Sequence, residues 1–311
     1  MKIKEIKEIK YEKVAIIINC GTVLYSTLAI LSIKKHSNLP IVLIDCDTPN
    51  SGWDKKLSFK YFDNLMNHID FDLLSLPLNI HGKTLDNIFR EIQSKIVLLL
   101  DSDAEILNSN IVDLFIKYSS QKQFWGSGFK TFFRKTTDFT YNILNGLYME
   151  RVFMPFCVLN VEKVNEALCN NISFEAFIKN NDFPFNKKIC KILRKRYKLP
   201  FFKKRPHIFT KYFTKGQKFH DHYYPDWLYY DTGAKIYEYL CYNKEYWFCE
   251  LSEDISTDYL LHAYGTTRGF LTNDKDANRQ YQEKLLIDRM YNEYNFDIKN
   301  TNYYDIKKQS L

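Results

Sequence analysis

Glycine and proline are scarce in this 311-residue chain, at 10 and 8 residues. That scarcity excludes a collagen-like fibre and a Pro/Gly-rich disordered chain. It also makes each glycine a marker of a specific backbone need. The seven cysteines form no CxxC pair and no Cys/His zinc spacing. Their odd number and scattered spacing read as small core residues in a reducing compartment, here the cytoplasm. The first residues, MKIKEIKEIKYEK, mix Glu with Lys and lack the simple basic start of a signal peptide. Internal repeats and low-complexity linkers are missing as well. The overall composition, 45% hydrophobic and 26% charged, is that of an ordinary globular protein. A net charge of +7 does not by itself mark a nucleic-acid binder.

Only one long charge-free run occurs, residues 14–33 (VAIIINCGTVLYSTLAILSI). Its length would just span a bilayer. Asn19, Gly21, Thr22, Ser26 and Thr27 interrupt it, and its first half is β-branched. These features predict a buried strand, a turn and a helix rather than a spanning segment. The pattern continues with strands over 40–47, 71–78 and 96–103 and helices over 54–69 and 84–95. Further on, strands are expected over 123–129, 152–161, 246–251 and 258–264. Helices are expected over 162–171, 226–242 and 278–296. Hydrophobic strands alternating with helices predict an α/β fold with a mostly parallel sheet and right-handed crossovers. Ligands of such sheets sit at the carboxyl ends of the strands. Those ends carry Asn19, Asp45, Asp47, Asp101 and Asp103.

LLLDSDAEI places Asp101 and Asp103 one residue apart, directly after a buried run. In extended backbone residues i and i+2 face the same side, so the two carboxylates repel unless a cation lies between them. Hard cations such as Mg²⁺ or Mn²⁺ take oxygen ligands and bridge phosphates. IDCDT at 44–48 is a second Asp-x-Asp, so the motif alone does not decide; two solvated acids at a strand end are the plain alternative.

With these residues the chain resembles the GT-A nucleotide-sugar glycosyltransferases over about residues 14–270. The resemblance rests on short motifs. It implies a GT-A (Rossmann-like), mostly parallel sheet flanked by helices, with an Asp-x-Asp that holds Mn²⁺ or Mg²⁺ against the donor diphosphate. Asp101 and Asp103 match that motif. Asp45 and Asp47 match the strand end where such enzymes often contact the base or ribose, Asn19 at the neighbouring strand end is a further candidate for binding the nucleotide, and Arg90 matches a basic residue near the nucleotide. Asp231, in YYDTGAKIYEYL, matches the segment that carries the catalytic base of inverting members. The usual acidic pair is Tyr-Asp here, and Asp226 is a nearby competitor. LLHAYGTTRG offers His262 as a third metal ligand and Arg268 as a diphosphate contact, with Arg where one retaining branch has Lys. A planar guanidinium suits phosphate through two parallel donors.

From residue 187 to 218 the chain carries 13 Lys or Arg, and no acid lies between Phe183 and His220. Apolar residues are interleaved, a composition suited to an anionic membrane surface. A solvated face is the plain alternative, and no nucleic-acid motif accompanies the block.

The expected organisation is a charged extension over 1–13, a GT-A domain over 14–270 with a basic helical insertion over 183–222, and a C-terminal helical extension over 271–311. The expected function is metal-dependent transfer of a sugar from a nucleotide donor, a UDP-sugar, to a glycan or lipid-linked glycan. Asp231 would be the base in an inverting reaction, at the inner face of a membrane. Sugar choice would draw on Trp125, Gly126 and residues 154–156. The alternatives are a retaining enzyme of the same fold, a nucleotidyltransferase, an aspartate-phosphate phosphatase and a non-catalytic membrane-surface protein. A nucleotidyltransferase would carry a Gly-rich basic loop where this chain has only NCGT. In IDCDT, Thr48 stands one place too early for the phosphatase motif.

Overall fold

The structure, a computed structural model, describes residues 5–46, 55–77, 81–131, 146–180, 227–251, 260–262 and 276–309. The first third alternates as expected: β1 (Lys13–Asn19), α1 (Val23–His36), β2 (Ile41–Cys46), α2 (Lys55–Leu65), β3 (Asp72–Leu76), α3 (His81–Glu91) and β4 (Ile96–Asp101). There follow β5 (Ala104–Ile106), α4 (Ser109–Ile116), β6 (Phe124–Thr131), β7 (Gly146–Tyr148), β8 (Arg151–Asn160), α5 (Val161–Cys169) and β9 (Phe177–Asn180). Later come β10 (Trp227–Tyr230), α6 (Ala234–Glu238), a π-helical turn (Tyr239–Asn243), β11 (Trp247–Glu250), β12 (Leu260–His262), α7 (Asp276–Tyr294) and α8 (Tyr303–Gln309).

Seven strands form one sheet in the order β11-β6-β8-β4-β1-β2-β3. β3, β2, β1 and β4 are mutually parallel, and β11 is parallel to β6. β8 runs antiparallel to both β4 and β6. This is the mostly parallel, helix-flanked sheet that the alternation predicts. The central strands are buried on both faces, which explains their unbroken apolar runs. In β1, Ala15 and Ile17 enter one core with α1, α2 and α4, while Val14, Ile16 and Ile18 enter the other with α3 and α5. β4 alternates the same way, with Leu98 and Leu100 on the first side and Val97 and Leu99 on the second. Asn108 and Asn160 cap α4 and α5 by accepting from backbone N–H groups in the first turn.

The charge-free run is a strand, a turn and a helix. No described helix is long and apolar enough to cross a membrane.

Two expectations change. The strand over 96–103 ends at Asp101, because Ser102 and Asp103 form a turn that lets β5 pair with β12 instead of extending β4. The helix over 226–242 does not begin there. Trp227–Tyr230 is a strand between β7 and β9, as its aromatic residues favour. Gly233, at φ +82°, then turns the chain into α6.

The C-terminal region is helical as expected and joins the main core. Met290, Ile298, Tyr303 and Ile306 are buried in the cluster that holds α1 and α2. At the other end, Ile6 and Ile9 of the charged N-terminal stretch are buried in the second cluster.

Candidate active site at the carboxyl edge of the sheet

β1 and β2 end side by side, with Asn19 opposite Asp45. Both side chains are fully buried. Asn19 Nδ2 donates to Asp45 Oδ1 at 2.6 Å, and Ser58 Oγ of α2 donates to Asp45 Oδ2 at 2.6 Å. Asn19 Oδ1 accepts from the Thr22 amide at 3.0 Å and from Ser26 Oγ at 2.7 Å. The side-chain amide thereby closes the short turn between β1 and α1. Buried polar atoms need such partners, and here each of them locks a neighbouring element. Thr22 Oγ1 then donates to Ser102 Oγ at 2.7 Å, which ties this network to the acidic turn.

Asp101 ends β4 beside Ile18 of β1, and Asp103 follows in the turn. Both are half-buried, while Ser102 between them is buried. The turn therefore carries two half-buried carboxylates at the carboxyl end of β4. Tyr25 of α1 lies within reach of this charge: burial, and then Asp103, push its hydroxyl pKa up. β12 pairs with β5 so that the backbone of His262 lies opposite Ala104, one residue past Asp103.

β8 is antiparallel to β4, so its first residues reach the same edge. Phe156 faces Leu100, and Arg151 lies five residues further toward the carboxyl side. Arg151 Nη2 forms a 2.8 Å ion pair with Asp231 Oδ2, with 21% and 27% of the two side chains exposed. The Thr232 amide donates to Asp231 Oδ1 at 2.8 Å. The Gly233 amide donates to the Phe174 carbonyl at 3.0 Å, and the Ala234 amide to the Asp231 carbonyl at 2.9 Å. Asp231 is thus held in a tight turn at the end of β10. Each carboxylate oxygen carries two lone pairs, so the carboxylate retains acceptor capacity.

The structure brings Asn19, Asp45, Asp101, Asp103, Asp231 and the backbone of His262 to one edge. Arg90 is not in that group. It lies in the last turn of α3, which leads to the amino end of β4, and its Nη2 donates to the Leu168 carbonyl of α5 at 3.1 Å. Asp47, Asp226, Arg268, the basic block 187–218 and the side chain of His262 lie outside the described residues. Trp125, Met154 and Phe156 are buried; Trp125 Nε1 donates to Cys241 Sγ at 3.2 Å within the core. Sequence reasoning missed Arg151. Its signal was a charged pair, Glu150-Arg151, at the opening of a buried strand.

The donor set fits a hard divalent cation: two half-buried carboxylates on one turn could supply oxygen ligands. Among the described residues, no group of three or more His, Cys, Asp or Glu could hold a metal. A third ligand would have to come from outside that set.

No protein-family model and no curated protein sequence matches the chain. Solved structures do. The mannosyltransferase PcManGT from Pyrobaculum calidifontis, in complex with GDP-Man and Mn²⁺, is similar over 51% of this chain and 47% of its own, at 11% identity and TM-score 0.37. S. aureus TarS 1–349 in complex with UDP-GlcNAc is similar over 52% and 48%, at 16% identity and TM-score 0.35. The bifunctional IspDF from Campylobacter jejuni is similar over 58% and 47%, at 10% identity and TM-score 0.32. In each case the match spans about half of both chains.

Proposed function

We infer that the chain is a GT-A-type glycosyltransferase that takes a sugar from a nucleotide donor, a UDP-sugar, to a hydroxyl of a glycan or lipid-linked glycan. One observation carries the reading. The acidic turn Asp101-Ser102-Asp103 and the carboxylate of Asp231 share the carboxyl edge of a mostly parallel sheet, where such folds take their ligands. The short, side-chain-closed turn after β1 favours this reading over a nucleotidyltransferase, because it offers no open, basic, Gly-rich loop for a triphosphate.

Asp101 and Asp103 would hold Mn²⁺ or Mg²⁺, with His262 as the third ligand. When bound, that ion supplies neutralising charge to the departing diphosphate. Asp231 would accept the proton of the acceptor hydroxyl as its oxygen bonds to the anomeric carbon. The bond from that carbon to the diphosphate breaks, and its electron pair leaves with the nucleotide. Arg151 would fix the rotamer of Asp231 and balance its charge. Arg268 and Asp47 would serve the nucleotide, whereas Arg90, bonded to the Leu168 carbonyl, would brace α3 against α5. Asn19 and Asp45 support the site by holding the strand ends. Interfacial binding through residues 187–218 remains part of the proposal.

Calorimetry with UDP, with GDP and CMP as controls, in the presence and absence of Mn²⁺, tests the reading. UDP binding that needs Mn²⁺ and disappears in Asp103→Ala and His262→Ala is the expected result. A folded protein that binds no nucleotide would sink it.

A further inference from the structure

β5, the short strand after the acidic turn, is held from three directions. β12 pairs with its edge. On the α1 side, Ser32 Oγ accepts from the Ile106 amide at 3.1 Å. From α7, Arg289 Nε lies 2.9 and 2.7 Å from the two carboxylate oxygens of Glu105, and Tyr294 Oη donates to Oε1 at 2.5 Å. Glu105 is 2% exposed. α7 is itself fastened to α1: Lys35 Nζ donates to the Glu293 carbonyl at 2.8 Å and lies 5.0 Å from the centre of the Tyr294 ring.

A carboxylate this deep is costly unless it is paired and hydrogen-bonded. An apolar side chain would cover β5 equally well. What the Glu105–Arg289–Tyr294 arrangement adds is direction, since a carboxylate with these donors has one seat and one orientation. Glu105 is two residues from Asp103. Ser102 is tied on its other side to Thr22 at the start of α1. The acidic turn is therefore suspended between two polar anchors, and one of them belongs to the C-terminal helix.

We propose that Arg289 is a positioning residue for the donor site: acting through Glu105, it sets where Asp101 and Asp103 present their carboxylates, so that α7 is part of the nucleotide-binding machinery. The proposal rests on the preceding reading of that turn as the seat of a cation-bound nucleoside diphosphate. Arg289 is a supporting group outside the ligand shell. Losses at such groups typically reduce metal affinity or activity by about 10–100-fold.

The test uses the full chain as wild type, Arg289→Met and the double variant Glu105→Met with Arg289→Met. Amide hydrogen exchange is followed across residues 99–106, and UDP binding is measured calorimetrically in excess MnCl₂. Arg289→Met is expected to exchange faster at residues 102–106 and to bind UDP about tenfold more weakly. The double variant removes the buried charge altogether, so its stability should recover while the weakened UDP binding persists. It also carries the test if the single variant does not fold. Unchanged exchange at the turn in folded Arg289→Met overturns the proposal. So does a double variant that regains both stability and wild-type affinity, since packing alone would then suffice. A wild-type protein that binds no nucleotide refutes the proposed function and with it the role in donor binding, while the exchange data still decide whether Arg289 orders the turn.

Discussion

At the scale of single residues, the buried network at the ends of β1 and β2 and the Arg151–Asp231 pair have opposite characters. Asp45 is fully enclosed, and its carboxylate serves Asn19 and Ser58. Asp45→Ala leaves those two donors without their acceptor, and an unsatisfied buried group costs about 1–3 kcal/mol. We expect a loss of about 3 kcal/mol in urea unfolding, with an unchanged dependence on denaturant concentration. Asp231 keeps a quarter of its side chain exposed and is held by Arg151 and the Thr232 amide. If it takes the acceptor proton, Asp231→Asn lowers kcat by about 10²–10⁴-fold and leaves UDP affinity near the wild-type value. Steady-state kinetics with calorimetry separates these quantities. A variant with wild-type kcat would transfer the role elsewhere.

At the scale of elements, two connections determine how the Asp231 turn and its neighbours sit. Gly233 has φ +82°, and a Cβ there would stand 2.8 Å from Met154 Sδ. Left-handed backbone costs an L-residue about 1–2 kcal/mol, so Gly233→Ala should lose about that much in thermal or urea unfolding. The second connection ties α5 to the segment before β11. Lys244 Nζ lies 2.6 Å from Glu166 Oε1, and Tyr246 Oη donates to Glu166 Oε2 at 2.7 Å. Lys244 and then Tyr246 hold the Glu166 carboxyl below its ordinary 4.5, and Glu166 raises the Lys244 ammonium above 10.5. The depressed Glu166 pKa contributes stability that is present above pH 4.5 and is lost as pH falls through the folded value. The raised Lys244 pKa contributes stability present below pH 10.5 and lost as pH rises through its folded value. Glu166→Gln should flatten both arms of the stability–pH curve, with small amplitudes because the pair is partly exposed. Equal slopes in variant and wild type would mean that the contact is not made in solution.

At the scale of the whole molecule, the described residues centre on a seven-stranded sheet packed on both faces, and the C-terminal helices belong to the cover. Met290, Ile298, Tyr303 and Ile306 share a cluster with Leu28, Tyr61 and Phe62. Removing residues 276–311 would strip that cluster, so the truncated chain should lose its cooperative thermal transition and become readily cleaved by protease. A truncated protein that melts like the full chain would make these helices an appendage. The same packing places Arg289 over Glu105 and so links the far end of the chain to the acidic turn.

The alternation of apolar strands and helices in the first hundred residues was legible because period-2 burial on both faces of a parallel sheet leaves an unbroken hydrophobic run, as in IVLLL before Asp101. The acidic strand ends were legible because an apolar run stops where polar surroundings begin, a buried network at Asp45 and a half-exposed turn at Asp101. Local pattern misassigned Trp227–Tyr230, whose strand identity depends on β7 and β9, partners far away in sequence. It also could not show that Asn19 and Asp45 face each other rather than solvent, or that Arg151 meets Asp231 across 80 residues. Strand order, register and ion pairing are relations between distant segments. Composition and periodicity report only on neighbours along the chain, so they specify which segments are apolar and where acids interrupt them. Tertiary packing decided which of those acids support the fold and which stand at its carboxyl edge.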